Sequence, residues 1–418
     1  MNNKYTKVEL KELCSDFIVP QRDKPKVFDG NIPWCRIEDI QGKYLNGSLS
    51  NRNVSQKTVK DMNLRIMPVG TVICSCSASL GVQAITTKEC CSNQTFIGLV
   101  CNSKIYNEYL YHHLSLYKQY FQNIGVGTTI KYISRENFEQ LKINLPDFST
   151  QKKIADVLSS IDKKIILNNK INLELENMAK TIYDYWFTQF DFPDKNGHPY
   201  KSSGGQMIYN ELLKKEIPAG WELKNILDCC KVIDCLHSKK PDYCYEDENC
   251  YLLQLENLID LKLIDLTNKY YVSKKDYETW TSKTKVKQGD LVVTNAGRVG
   301  GVSRIPNYIE TGIGRNMTSI RPITISEYLL CYFFSSSDCD KQIRQNTDQG
   351  AFFQSLNVKG IKKLNLTIPP KEIQEKFDSL VGKMRLQIES NHKENEELTK
   401  LRDYLLPLLM NGQINIKE

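Results

Sequence analysis

Two 36-residue stretches decide the reading of this chain. The first is Gln151–Trp186, QKKIADVLSSIDKKIILNNKINLELENMAKTIYDYW, and the second is Gln374–Leu409, QEKFDSLVGKMRLQIESNHKENEELTKLRDYLLPLL. In the first, apolar or amide residues fall at Ile154, Leu158, Ile161, Ile165, Asn168, Asn172, Leu175, Ala179, Ile182 and Trp186. In the second they fall at Phe377, Val381, Met384, Ile388, Asn391, Asn395, Leu398, Arg402, Leu405 and Leu409, with Arg402 a charged exception. The alternating four-and-three spacing is a coiled-coil seam. Both seams carry two asparagines at their centre. Laid antiparallel, Asn168 faces Asn395, Asn172 faces Asn391 and Ile165 faces Leu398, while Ile154 meets Leu409 and Trp186 meets Phe377. Polar residues inside such a seam cost stability but fix register and partner. Each helix would be roughly 50 Å long at about 1.5 Å per residue. Pro407 should kink or end the second helix within its last turn.

The two stretches are the end of a longer repeat. Shifted by 223 residues, Asn93–Phe187 matches Asn316–Met410 without a gap, with 20 identities over 95 positions. These include Tyr109/Tyr332, Pro146/Pro369 and Gln151/Gln374. Upstream the match continues with small gaps: Trp34–Ile40 resembles Leu252–Leu258, and Gly70-Thr71-Val72-Ile73 resembles Gly289-Asp290-Leu291-Val292. A period this long means two domains rather than a solenoid. Short apolar runs bounded by Gly, Pro, Asn and Ser, such as Phe96–Val100 and Leu291–Val293, read as strands. Each half adds a helix, around Asn107–Phe121 and Leu329–Ile343.

The expected fold is therefore α+β, with two tandem mainly-β domains, each followed by a long helix. The two helices would pair as an antiparallel coiled coil with pseudo-two-fold symmetry. The expected boundaries are 1–148 and 221–370 for the domains and 149–190 and 371–410 for the helices. A linker would span 191–220 and a tail 411–418. Pro193, Gly197, Pro199, Gly204, Gly205 and Pro218 give that linker loop chemistry, with an amphipathic fragment near Tyr209–Lys214.

Composition bounds the function. The 418 residues are 40% hydrophobic and 25% charged, with a net charge of +7, which permits nucleic-acid binding by local patches without requiring it. Mean hydropathy is −0.44 and no run of about 18 apolar residues occurs, which argues against a membrane-spanning helix. The first residues lack an apolar signal core, so a cytoplasmic location is expected. The 14 cysteines form no C-x-x-C pair and the five histidines stand at no zinc spacing, so reduced, buried thiols and no metal are expected.

Catalytic motifs are missing. No phosphate loop, nucleophile elbow or paired metal-binding histidine motif occurs. Gly297-Arg298-Val299-Gly300-Gly301 reads as a turn, and His112-His113 as a packed or exposed pair. Residues suited to DNA do cluster in turn-rich places. They are Arg22, Lys24, Lys131, Tyr132 and Arg135 in the first half, and Arg298, Arg304, Arg315, Asn316, Arg344, Gln349 and Gln354 in the second. Arginine can read guanine and Gln or Asn adenine through paired hydrogen bonds, while lysine neutralises phosphate.

The layout resembles the specificity subunit of type I restriction–modification systems. The resemblance covers essentially all of the chain. Its most specific pieces are Gly70–Val82, Leu145-Pro146 with Gln151–Ile154, and the run from Phe190-Asp191-Phe192-Pro193 through Pro199-Tyr200-Lys201-Ser202-Ser203-Gly204-Gly205 to Trp221. The second half departs at Gly289-Asp290 and at Arg298. The resemblance implies two target-recognition domains, each reading half of a split double-stranded DNA target, with the helices setting the spacer. It implies a non-catalytic chain without a cofactor. Two methylation subunits would bring S-adenosylmethionine and adenine-N6 chemistry, and restriction subunits would join them. Trp186, Phe187, Leu408 and Leu409 are the expected docking anchors for the methylation subunits. The competing expectation is a coiled-coil scaffold that reads no DNA sequence.

Overall fold

The computed structural model describes residues 5–22, 24–77, 79–126, 131–349 and 354–416, with the backbone alone at 348, 349 and 354. The chain divides into two compact units. The first is Met1–Ile165 with Glu397–Glu418, and the second is Ile166–Glu396.

In the first unit the buried run Val72–Ser75 sits within a five-stranded sheet. The order is Cys14–Ile18, Phe96–Cys101, Val72–Ser75, Gln83–Thr86 and Tyr44–Leu45. The second unit repeats this as Cys230–Asp234, Met317–Pro322, Leu291–Thr294 and Val302–Arg304. Each unit adds a three-stranded sheet, built around Ile32–Cys35 in the first and Tyr251–Leu253 in the second. Each also pairs its entry strand with its exit strand: Thr6–Glu9 with Lys142–Leu145, and Glu222–Asn225 with Asn365–Ile368. The helix expected near Asn107–Phe121 is two, Asn107–Ser115 and Lys118–Ile124, because Leu116 and Tyr117 close tight turns onto His113 and Leu114. Its counterpart divides into Glu327–Phe333 and Ser337–Asn346, where the Ser336 hydroxyl caps the new start.

The identical glutamines at the start of both long helices do the same work. Gln151 donates to the Pro146 carbonyl at 3.0 Å and accepts from Tyr106 N at 2.8 Å. Gln374 donates to the Pro369 carbonyl at 3.0 Å and accepts from Ser326 N at 2.9 Å. Each clasps a helix to its own domain.

The first long helix runs Phe148–Tyr183 and continues through a wide turn, Asp184–Thr188, closed by Gln189 N on Asp184 O at 2.9 Å. Trp186 and Phe187 both lie buried in that turn. The second comprises Lys371–Phe377, a wide turn Asp378–Gly382, and Lys383–Met410. Pro407 lies inside it, and the helix ends three residues later at Met410. All the seam positions named above are buried or half-buried.

Within the second unit the central register is the expected one. Asn168 donates to Asn395 Oδ1 at 2.9 Å, and Asn391 donates to Asn172 Oδ1 at 2.8 Å. Trp186 and Phe377 meet with ring centroids 6.0 Å apart. Within the first unit Ile154 and Leu409 share one core, Ile165 and Leu398 are half-buried, and the exceptional Arg402 binds Asp162 at 3.1 Å.

The linker differs from the expectation. Tyr209–Lys214, expected as an amphipathic fragment among loops, has regular structure. It lies in a hairpin, Met207–Asn210 against Lys215–Pro218, because the Asn210 carboxamide accepts from Leu212 N and Leu213 N and turns the chain. The preceding Pro199–Gly205 run also has a structural cause. Tyr200 stacks on Phe192 at 4.6 Å, and Asp191 accepts from the Ser202 backbone and hydroxyl at 2.7 and 2.6 Å. A Cβ on Gly205 would sit 2.4 Å from the Tyr200 ring, so only glycine fits there. All fourteen cysteines are free thiols, twelve of them buried.

Candidate nucleic-acid interface

The repeat builds the same feature twice. In the first unit the hairpin Val72–Ser75 to Gln83–Thr86 carries a tip between them, described at residues 76–77 and 79–82. The tip is held from two sides: Cys76 N donates to Thr95 O at 2.8 Å, and Ile133 N donates to Cys76 O at 2.9 Å. Ser77 bridges Tyr132, and Tyr132 in turn exchanges backbone hydrogen bonds with Val126 at 2.9 and 3.0 Å. A Cβ on Gly125 would stand 2.7 Å from Leu80 of the tip, so the facing segment approaches closely there.

In the second unit the hairpin Leu291–Thr294 to Val302–Arg304 carries a tip at 295–301. Asn295 N donates to Asn316 O at 2.8 Å, Leu356 N donates to Asn295 O at 2.8 Å, and Ala296 bridges Ser355. The glycine-rich stretch 297–301 is a tight turn. Gly297 and Gly300 have φ of +75° and +76°, and the Thr294 hydroxyl donates to the Arg298 carbonyl.

These bonds sort the expected DNA-facing residues. Lys131 and Tyr132 are exposed and stand on the segment that faces the first tip, with Arg135 opening the next short helix. The Lys131 ammonium donates to Gln122 O at 2.9 Å, and Arg135 binds Glu139 at 2.6 Å. Arg22 and Lys24 are exposed on a different loop, after strand Cys14–Ile18. Arg298 is exposed on the second tip, 2.8 Å from Asp260. Arg315 and Asn316 are exposed beside Asn295, and Asn316 has φ +61°, a left-handed conformation that asparagine tolerates. Arg344 is exposed further along the chain, in helix Ser337–Asn346, and pairs with Asp340 at 2.8 Å. Gln349 and Gln354 stand on paired backbone strands, and their side chains lie outside the described residues. Gly127, Ile130, Gly350 and Phe353, matched by the repeat, also lie outside them.

Arg304 is a correction. It is 1% exposed, and its guanidinium is spent on Glu389 at 2.8 and 3.0 Å and on Glu327 at 2.6 Å. A buried arginine held by two carboxylates is a structural group and cannot reach a phosphate or a base edge. The expected docking anchors need correcting too. Trp186 and Phe187 are buried against Phe377 and Trp221, and Leu409 is buried in the first unit's core. Leu408 is half-buried. The long helices instead present Ile166, Leu167, Leu173, Met178, Leu386 and Leu401 to solvent.

No sequence pattern marked the ionised groups beneath this surface. In the first unit Lys43 is buried and donates to Glu108 at 2.7 Å and to Ser159 at 2.5 Å, with Tyr44 also donating to Glu108. Despite its burial Glu108 is held below the usual carboxylate range by the Lys43 and Tyr44 hydrogen bonds. His112 and His113 are packed, not exposed, and burial pushes them down to about 3 and about 4. Solvated charges and buried ones share a residue type, so only packing tells them apart.

Comparisons with known proteins agree with this architecture. The type I restriction modification DNA specificity domain matches residues 2–177 and 218–400. The chain belongs to that family. It is 28% identical over 408 residues to the type I restriction enzyme MjaIX specificity subunit of Methanocaldococcus jannaschii, covering 96% of this chain and 90% of that protein. It is 25% identical over 354 residues to the HindI specificity subunit of Haemophilus influenzae, covering 71% and 74%. The crystal structure of a type I restriction–modification S subunit from M. genitalium shares the fold, with a TM-score of 0.59 at 14% identity over 100% of this chain and 98% of that one. No helix among the described residues is long and apolar enough to cross a membrane.

Proposed function

We propose that this chain is the DNA-reading specificity subunit of a type I restriction–modification complex. Each recognition domain, 1–148 and 221–370, reads one half of a split double-stranded target. The hairpin tips at 76–82 and 295–301, with their facing segments, supply the contacts. Lys131 and Tyr132 serve the first half-site, and Arg298, Arg315 and Asn316 the second. The observation that carries this reading is the same tip-and-segment arrangement in both units, dressed with different exposed basic and amide side chains. A shared frame with different side chains is what two readers of different sequences require.

The helices would set the spacer, and two methylation subunits would dock on their outer faces. Ile166, Leu167, Leu173, Met178, Leu386 and Leu401 support that surface, since apolar side chains in this number on outer faces mark an interface. The chain itself would contribute no catalysis and hold no cofactor. S-adenosylmethionine would belong to the methylation subunits, and restriction subunits would join through them.

The test is base-resolved mapping of methylated adenine in cells that carry the neighbouring methylation subunit, with and without this chain. A split motif that disappears without the chain supports the reading. An unchanged pattern, with the chain expressed, moves the assignment to a scaffold.

A further inference from the structure

The second unit contains a buried cluster of six charges that joins three elements. Glu176 comes from the first long helix, and Arg385 and Glu389 from the second. Lys262, Arg304 and Glu327 come from the recognition domain. Arg385 donates to Glu176 at 3.0 Å, Lys262 pairs with Glu176, and Tyr332 donates to Glu176 at 2.8 Å. Arg304 bridges Glu389 and Glu327. Three acids meet three bases, so the cluster is neutral as a whole. All but Glu327 are buried.

Two features separate this cluster from ordinary packing. Leu261 and Lys262 both have φ of +58°, a left-handed conformation that non-glycine residues avoid. Arg385 donates to both of their carbonyls, at 2.7 and 3.3 Å, and so holds the turn in place. Moreover, replacing a buried ion cluster by apolar residues is often neutral or stabilising, so stability alone does not call for one. What it does supply is directional bonding, because the terminal nitrogens of Arg304 and Arg385 meet their carboxylates and carbonyls at fixed geometry, even though the Nε of each stays without a partner.

We propose that this cluster is a positioning element, one that fixes the angle of the second recognition domain on the helix pair and thereby the register of the second half-site. Glu176, Lys262, Arg385, Glu389 and Arg304 are its positioning residues, and none of them touches DNA. The proposal rests on the specificity reading above. The register consequence follows from DNA geometry. One base pair advances about 3.4 Å along the duplex and turns it about 35°, so a domain that tilts by a side-chain length meets the next base pair.

The experiment uses the assembled complex in cells, with methylated adenine mapped at base resolution for the wild type, Glu176→Gln, Lys262→Met and Lys262→Arg. Both sequence blocks are expected to stay as they are in every variant. Glu176→Gln and Lys262→Met should methylate targets whose spacer differs by about one base pair from the wild-type value, beside the original. Lys262→Arg keeps the charge and should keep the single spacer. A merely structural role would lower methylation at all sites without changing the spacer. A single unaltered spacer in Glu176→Gln and Lys262→Met overturns the proposal. Should those two fail to accumulate, Glu327→Gln, at the half-exposed edge of the cluster, is read by the same criterion and decides in the same way. A wild type that shows no split motif sinks the underlying reading instead.

Discussion

The two units share a frame and differ in how the domain is tied to its helices. In the first unit one lysine, Lys43, reaches from the recognition domain to a helix, where it ends on the Ser159 hydroxyl. In the second unit Lys262 reaches a helix in the same way, although the 218-residue shift of Trp34–Ile40 onto Leu252–Leu258 sets Lys43 against Leu261, one position before it. Lys262 ends on a carboxylate, Glu176, inside the six-charge cluster. Each unit thus has a lysine tying domain to helix, set in a histidine-bearing network with Glu108 in one unit and in a closed ionic cluster in the other. Two copies of one frame can therefore respond differently to the same disturbance.

The largest difference is expected from removing a central cation. Arg304→Met leaves Glu389 and Glu327 with fewer partners and should cost about 3–5 kcal/mol. Lys43→Met leaves Glu108 with Tyr44 and Ser159 as donors, and should cost about 1–3 kcal/mol. Chemical denaturation of the two variants compares them directly, and equal losses would break the contrast.

Acid should separate the units next. His112 and His113 are held neutral in the fold by burial, at about 3 and about 4. In the unfolded chain they protonate below about pH 6.5, so the first unit loses stability as pH falls from about 6.5 towards 4, by roughly 3 kcal/mol for each histidine at pH 4. In the second unit burial pushes Asp378 up to about 6, which works the other way: this carboxyl weakens the fold as pH rises through about 4 to 6 and ceases to do so in acid. Glu176, held below the usual range chiefly by Lys262 and Arg385 against its burial, loses its contribution only as pH falls below about 4.5. Limited proteolysis with mass mapping between pH 7 and pH 4 should show cleavage rising first within residues 5–165. His112→Gln should shrink that lead. Simultaneous cleavage of both units would remove the distinction.

A smaller effect is expected at the seam. Asn172→Leu takes the acceptor from the Asn391 amide nitrogen, whose oxygen keeps Gln387, and should cost about 1–3 kcal/mol, whereas Asn172→Leu with Asn391→Leu should recover most of it, as measured by thermal melting. The smallest stability effect belongs to Arg298→Ala. Its ion pair with Asp260 is exposed and worth about 0–1 kcal/mol, so the melting temperature should hardly move. Methylation of the second half-site should nevertheless weaken.

The helices were the most legible part of the sequence, because a seam is a local periodicity and the paired asparagines mark its register. The strands were legible where the apolar runs are complete, as at Leu291–Thr294. The hairpin at Met207–Pro218 was not, since its turn depends on a single carboxamide, Asn210, within a polar segment. At the candidate interface composition found Lys131, Tyr132 and Arg298. It also offered Arg304, whose burial follows from partners 23 and 85 residues away, Glu327 and Glu389. Glu176, Arg385 and Glu389 went unread for the complementary reason. They sit beside the seam at positions where charges usually face water. The inward position of Trp186 was legible from the seam, which sets it against Phe377, whereas that of Phe187, beside the seam in the wide turn Asp184–Thr188, was not.

The central claim is that each unit reads its own half of one target. The direct measurement is base-resolved adenine methylation in cells carrying the complex with Lys131→Ala/Tyr132→Ala on one hand and Arg298→Ala/Asn316→Ala on the other. The account predicts that the first pair relaxes one specified block and leaves the other intact, and that the second pair does the reverse. Both blocks changing together, or neither changing while the variant chains accumulate and assemble, would contradict it.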